Sequence, residues 1–156
     1  MTGVQTCALP IFSTDIIVGF PGEREEDFAE TLSIVGEAGF DDAYTFKYSV
    51  REGTPAERIK DHVPDDVASE RLDRLIATVR TQSRRRNAGR VGERHEVLVE
   101  RPAKRGDLML GRTRQNSMVL VDLPVDAIGT YHQVRLTGTT GSTFTGALAQ
   151  PALAVL

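Results

Sequence analysis

Apolar positions along the first half of the chain change rhythm twice. Ser13–Phe20 (STDIIVGF) opens polar and runs into Ile16, Ile17 and Val18, a short continuous apolar stretch that predicts a buried strand of the parallel kind. Phe20-Pro21-Gly22-Glu23 reads as a turn, because Pro fixes φ and Gly is free to take φ > 0. From Glu25 to Ala38 the period becomes helical, with Phe28, Leu32, Val35 and Ala38 on one stripe, acidic residues in the first turn and Gly39 at the capping position. Asp42–Ser49 (DAYTFKYS) alternates aromatic and polar residues and predicts the next strand. Strand, helix and strand in succession make a βαβ unit with a parallel pair. Its apolar faces, including Ile16, Val18, Phe28, Leu32 and Phe46, are expected to lack cover, so Ser13–Tyr48 is not expected to fold alone.

After the loop Val50–Thr54 and Pro55 comes a short helical turn around Ala56–Lys60, and Pro64 suits the start of a long helix from Asp65 to Ala88. Its stripe is Ala68, Leu72, Leu75, Ile76 and Val79; beyond it, Arg84-Arg85-Arg86 prolongs the helix as a cationic end, suited to a solvated cap or to RNA. From Val91 the pattern shortens. His95–Glu100, Leu108–Thr113, Met118–Val121, His132–Thr137 and Thr143–Leu148 predict five strands, separated by segments rich in turn formers. That spacing suggests a small OB-like antiparallel β-barrel. The fold class expected is α/β followed by all-β, with a boundary near Gly89–Gly92: residues 13–90 as one domain and 91–150 as the other. The barrel-like end is expected to fold independently.

Composition narrows the function. The 156 residues carry 19 Lys and Arg against 22 Asp and Glu, net −3, which excludes a globally basic nucleic-acid binder. The charge is unevenly spread: residues 1–90 hold 12 basic and 16 acidic side chains, residues 91–156 hold 7 and 6. No run of about 18 apolar residues could span a membrane. The single Cys makes no internal disulfide, iron–sulfur cluster or thiolate zinc site by itself. That Cys7 lies in Met1–Phe12, which has no secretory pattern. Its run GVQTCALPI (Gly3–Ile11) resembles the translation of a sequencing-adapter oligonucleotide. Residues 1–12 are therefore set aside, Cys7 is expected to carry no function, and the gene is expected to extend upstream of Ser13.

Few residues suggest catalysis. His62, His95 and His132 have no metal-ligand spacing, and Ser49 lacks a His and Asp at motif distance. The acids Glu25-Glu26-Asp27 and Asp65-Asp66 sit at helix starts, where the dipole favours them. No catalytic residue and no metal ligand is assigned. Binding is better represented. Gly19-Phe20-Pro21-Gly22-Glu23 joins a strand to a helix, where backbone N–H groups can hold an anion or the polar edge of a ligand. It lacks the spacings of dinucleotide and P-loop motifs. A second polar loop, Ser49–Pro55, follows the next strand and would share its face. In the β-rich end, Arg101, Lys104 and Arg105 lie in one turn. Arg112 and Arg114 share a strand face with Asn116 nearby, a patch suited to phosphates and base edges, with Glu100 and Asp107 partly neutralising it.

TDIIVGFPGEREEDF (Thr14–Phe28) followed by AYTFKYSVREGTPA (Ala43–Ala56) resembles the C-terminal part of the radical S-adenosylmethionine domain of methylthiotransferases. Val63–Asn87 resembles the segment that leaves that domain. HEVLVE, GRTRQNSMVLV and VRLTGTTGSTFTGAL resemble a TRAM domain, a small RNA-binding β-barrel. The resemblance spans about Ser13–Leu148. It implies the last βα units of a radical-SAM-type parallel α/β barrel, then a TRAM barrel. It implies S-adenosylmethionine as cofactor, near Gly19, Phe20, Pro21, Gly22, Glu23, Ser49 and Arg51, and tRNA as partner at the cationic patch. It also implies two 4Fe-4S clusters, on cysteines this chain does not contain, and a cytoplasmic monomer. The implied reaction replaces C–H by C–SCH3 through a deoxyadenosyl radical, with N(6)-dimethylallyladenosine next to the anticodon as the substrate most closely suggested. Without cluster thiolates these residues alone are expected to be inactive. The competing readings are a sibling acting on another adenosine or a ribosomal protein, and a non-enzymatic RNA-binding protein. A C-x-x-x-C-x-x-C motif in the upstream frame separates enzyme from binder.

Overall fold

Strand β1 (Ser13–Val18) and strand β2 (Asp42–Lys47) pair in parallel, with Ile16 opposite Thr45, Ile17 opposite Phe46 and Val18 opposite Lys47. This is a computed structural model, and it describes residues 12–104 and 106–149. Cys7, Arg105 and the chain beyond Ala149 lie outside the described residues. Helix α1 (Glu25–Ala38) makes the crossover, and the Arg24 N–H donates to Asp27 Oδ2 at 2.9 Å across its first turn. A 3-10 turn at Ala56–Arg58 precedes helix α2 (Asp65–Gly89).

The chain divides inside α2 into two units, Phe12–Ser83 and a second from Arg84 onward. In the first, Val18, Phe28, Val35 and Leu75 are buried together, with Ile16, Leu32, Phe40, Leu72 and Val79 packed against them. Helix α2 therefore covers the sheet face that α1 covers. The cover that Ser13–Tyr48 lacks by itself for Ile16, Val18, Phe28 and Leu32 comes from outside that segment, from the stripe Leu72, Leu75 and Val79 of α2. Phe46 differs because its register places it on the opposite face with Ile17 and Tyr44, where the three are 49–57% exposed.

The second unit is a closed barrel. Its strands are β3 (Arg94–Pro102), β4 (Met109–Thr113), β5 (Met118–Val121), β6 (Tyr131–Thr139) and β7 (Thr143–Leu148), in the order β3-β4-β5-β7-β6. The order first, second, third, fifth, fourth is that of a small OB-like barrel. Antiparallel pairing was expected throughout. Instead β5 and β7 run parallel, with Val119 opposite Phe144, because the chain crosses the barrel end before adding its last strand. Val97, Val99, Val119, Val121, Val134, Leu136 and Phe144 fill the interior. Gly146 is essential to this closure: a Cβ there would run into Val134 Cγ1 and stand 3.1 Å from Val119 Cγ1. The end of α2 is tied to the barrel by Asn87 Nδ2, which donates to the Gly141 carbonyl at 2.7 Å. Arg90 then donates to Ser117 Oγ at 3.0 Å and lies over the Phe144 ring.

Candidate functional site

Both loops singled out in the first unit follow strand C-termini, at one end of the parallel pair. Gly19 has φ 74°, and its N–H donates to Glu23 Oε2 at 3.0 Å. A side chain at Gly19 would also meet Ala68 Cβ at 2.6 Å, so this turn packs directly on α2. Glu23 Oε1 accepts from Arg71 at 2.7 Å, and the same guanidinium nitrogen donates to the Glu23 carbonyl at 3.1 Å. Both side chains are almost withdrawn from water, 7% exposed for Arg71 and 12% for Glu23. Glu23 thus spends both carboxylate oxygens on holding the turn. The Gly22 N–H donates to the Asp61 carbonyl at 2.7 Å, closing the other side.

The clamp continues outward. Arg71 Nε donates to Glu25 at 3.3 Å and Arg74 donates to Glu25 at 2.8 Å, while both guanidiniums lie over the Phe28 ring. The Arg74 hydrogen bond holds the Glu25 carboxyl below the usual carboxylate range. The Arg24 backbone N–H, seconded by its side chain, does the same for Asp27. Phe20 meets Tyr48 edge-on at 5.1 Å, and His62 lies tilted to Tyr48 at 6.5 Å. The Tyr48 hydroxyl is buried with no hydrogen-bond partner among the described residues. Ser49 and Arg51 follow on the second loop, which is folded by Thr54 Oγ1 donating to the Arg51 carbonyl at 2.8 Å. The loop residues Gly19, Phe20, Pro21 and Gly22 are thus held in one turn, with Phe20 against the Tyr48 ring. Arg71 was not foreseen, since a lone Arg within a helix carries no local signal of burial.

In the barrel unit, the register arranges the outward side chains of β4, β3 and β6 in rows. Arg112, Leu98 and Tyr131 form one row, and Arg94 stands opposite Arg135 in another. Arg112 Nε donates to Glu100 at 3.1 Å and its Nη1 to Asn116 Oδ1 at 2.7 Å, while Arg114 pairs with Glu96 at 2.7 Å. Two of the cations read as RNA contacts are thus neutralised by β3 carboxylates; Glu96 takes the part expected of Asp107. Asn116, with φ 61°, forms the β4–β5 turn. Arg101 and Lys104 are exposed at the end of β3 and the loop beyond it, and Arg105 lies outside the described residues. Arg94 and Arg135 were missed, because only register brings residues so far apart in sequence together.

The structural division separates charge more sharply than the expected boundary. Phe12–Ser83 carries 8 basic and 16 acidic side chains, net −8, whereas Arg84–Leu156 carries 11 and 6, net +5. The three adjacent arginines account for much of the change, since they fall with the barrel. Among the described residues, no three His, Cys, Asp or Glu are grouped to hold a metal ion, and no helix is long and apolar enough to cross a membrane.

No family model matches the chain. Among curated proteins it is similar to the tRNA-2-methylthio-N(6)-dimethylallyladenosine synthase of Clostridium novyi (strain NT), 44% identical over 135 residues, or 86% of the chain and 30% of the relative. The protein of that name from Opitutus terrae is 45% identical over 137 residues, 88% of the chain and 28% of the relative. That from Geobacillus thermodenitrificans is 46% identical over 144 residues, 92% of the chain and 28% of the relative. The chain spans less than a third of the length of these curated relatives.

Proposed function

We propose that the chain is the tRNA-holding portion of a tRNA methylthiotransferase acting on N(6)-dimethylallyladenosine next to the anticodon, on the strength of its similarity to the curated synthases over 86–92% of its own length. Residues 13–90 are then the end of a radical-SAM-type α/β barrel with the helix that leaves it, and 91–150 a TRAM-like domain. The uncovered sheet face of Ile17, Tyr44 and Phe46 supports this, since strands of a parallel barrel carry helices outside and apolar side chains inside. The observation that carries the RNA-binding role is the net +5 of the unit Arg84–Leu156, which holds the closed barrel and the arginine-rich end of α2, against the net −8 of Phe12–Ser83.

The cofactors divide on the residues present. Iron–sulfur clusters do not fit this chain, whose one Cys cannot supply three thiolates, so no step is assigned through them and the chain alone is inactive. S-adenosylmethionine does fit the loop end. The buried, unpartnered Tyr48 hydroxyl offers a polar group to a ligand there, beside a Gly19–Glu23 turn whose shape the Glu23 clamp fixes. Gly19, Phe20, Pro21 and Gly22 would meet it through backbone and ring, Ser49 and Arg51 through the second loop, and Glu23 by keeping the turn in shape. When bound, the group supplies both the radical source and the methyl donor. In the barrel, Arg101, Lys104, Arg105, Arg112, Arg114 and Asn116 are assigned to the RNA surface, with the molecule a cytoplasmic monomer.

The test is tRNA binding by the intact chain across a salt series. Binding at about 50 mM salt is expected, with log K falling by roughly 0.7–0.9 for each phosphate neutralised per unit of log salt. Absence of tRNA binding at that salt would contradict the proposal.

A further inference from the structure

The outer face of β3 and β6 holds a pair that the RNA assignment above does not include. Arg94 and Arg135 stand directly opposite each other across the two strands, and both are exposed. Like charges in directly opposed positions repel, with Cβ atoms about 5 Å apart. Neighbouring carboxylates do not relieve them. Glu93 is held by Arg90 at 3.5 Å and by His95 at 2.8 Å, Glu96 by Arg114 and Glu100 by Arg112. Among the described residues neither Arg94 nor Arg135 has an ion-pair partner.

The same face carries an aromatic. Tyr131 on β6 is 63% exposed, on the outward side with Gln133 and Arg135. It stands opposite Leu98, whose other neighbour across the sheet is Arg112. Tyr131 lies four positions before Arg135 on the strand, about 13 Å along the sheet. A flat phenol ring, an amide and an uncompensated pair of guanidiniums in one line suit a single polyanionic strand with bases to stack.

We propose that the β3–β6 face is a single-stranded RNA site, in which Arg94 and Arg135 hold a backbone phosphate between them and Tyr131 stacks a base. The site rests on the RNA-binding reading of the barrel and extends it away from the β3–β4 loop and the β4 strand. Its ligand is a phosphodiester strand rather than a free anion, because the stacking ring lies too far from the arginine pair for one phosphate to reach both. An acidic protein segment is the competing occupant, and it would have no use for the ring.

The test uses the intact 156-residue chain with tRNA, an unstructured oligouridylate and a polyglutamate peptide of equal charge. Arg94→Gln with Arg135→Gln should weaken oligouridylate binding about tenfold or more and flatten its salt slope by roughly 1.4 units, at about 0.7 per single-strand contact. The melting temperature of that variant should hold or rise, since a repulsion is removed. Tyr131→Ala should weaken oligouridylate with its salt slope unchanged, and Tyr131→Phe should restore binding. If tRNA binds but the arginine double variant matches the parent in affinity and slope, the site is overturned and the RNA-binding reading stands. If no RNA binds at low salt, both fall. Polyglutamate binding as tight as oligouridylate and indifferent to Tyr131→Ala would assign the face to a protein and overturn the proposal.

Discussion

Arg71 shows how one side chain can set the shape of a loop built elsewhere in sequence. It reaches from α2 to Glu23, whose other oxygen fixes the Gly19 N–H, and so ties the turn after β1 to the helix that covers the sheet. A buried ion pair of this kind adds little by existing, but removing one partner strands the other charge, at about 3 kcal/mol or more. Arg71→Met is expected to lower the unfolding temperature of the βαβ unit by more than about 10 °C by calorimetry. Arg74→Met, whose side chain is 43% exposed, should stay within about 1 kcal/mol of the parent. Equal, small shifts for the two would contradict the clamp. None of this was legible in the sequence: Arg71 and Arg74 look alike there, and only burial separates them.

Elements were more legible than residues, and the reason is local. Helix α1 begins and ends where its apolar period and acidic first turn place it, and β5 and β7 match their alternating runs, because these signals lie within each segment. What lay between segments was not legible. The cover that α2 provides for Ile16 and Val18 depends on how a helix returns to a sheet, and the parallel β5–β7 pair depends on barrel closure. Closure gives this pairing a specific sensitivity at Gly146, where strand backbone and two valines leave no room for a side chain. Gly146→Val is expected to open the barrel, removing slow amide exchange from β5 and β7 first. Retained slow exchange in both strands would show that the closed barrel tolerates the added volume.

Over the whole molecule, the division of charge is the feature that function most directly uses. The sequence showed an asymmetry, but the boundary near Gly89–Gly92 left Arg84, Arg85, Arg86 and Arg90 on the acidic side and hid most of it. Counting by structural unit gives an acidic βαβ unit and a basic second unit, made of the barrel and the arginine-rich end of α2, so RNA should be drawn to one and repelled by the other. Of the candidate site, the two loops and the Arg112–Arg114 strand were visible as motifs. Glu100, which pairs with Arg112, was also legible in the sequence, whereas the Arg94–Arg135 pair and the Glu96 that neutralises Arg114 required strand register. The central claim is that the barrel unit holds the tRNA. Its most direct measurement is backbone amide exchange of the intact chain with and without tRNA, followed by mass spectrometry. The account predicts slowed exchange in β3 and β6 with β1 and β2 unchanged; slowed exchange in β1 and β2 with an unaffected barrel would contradict it.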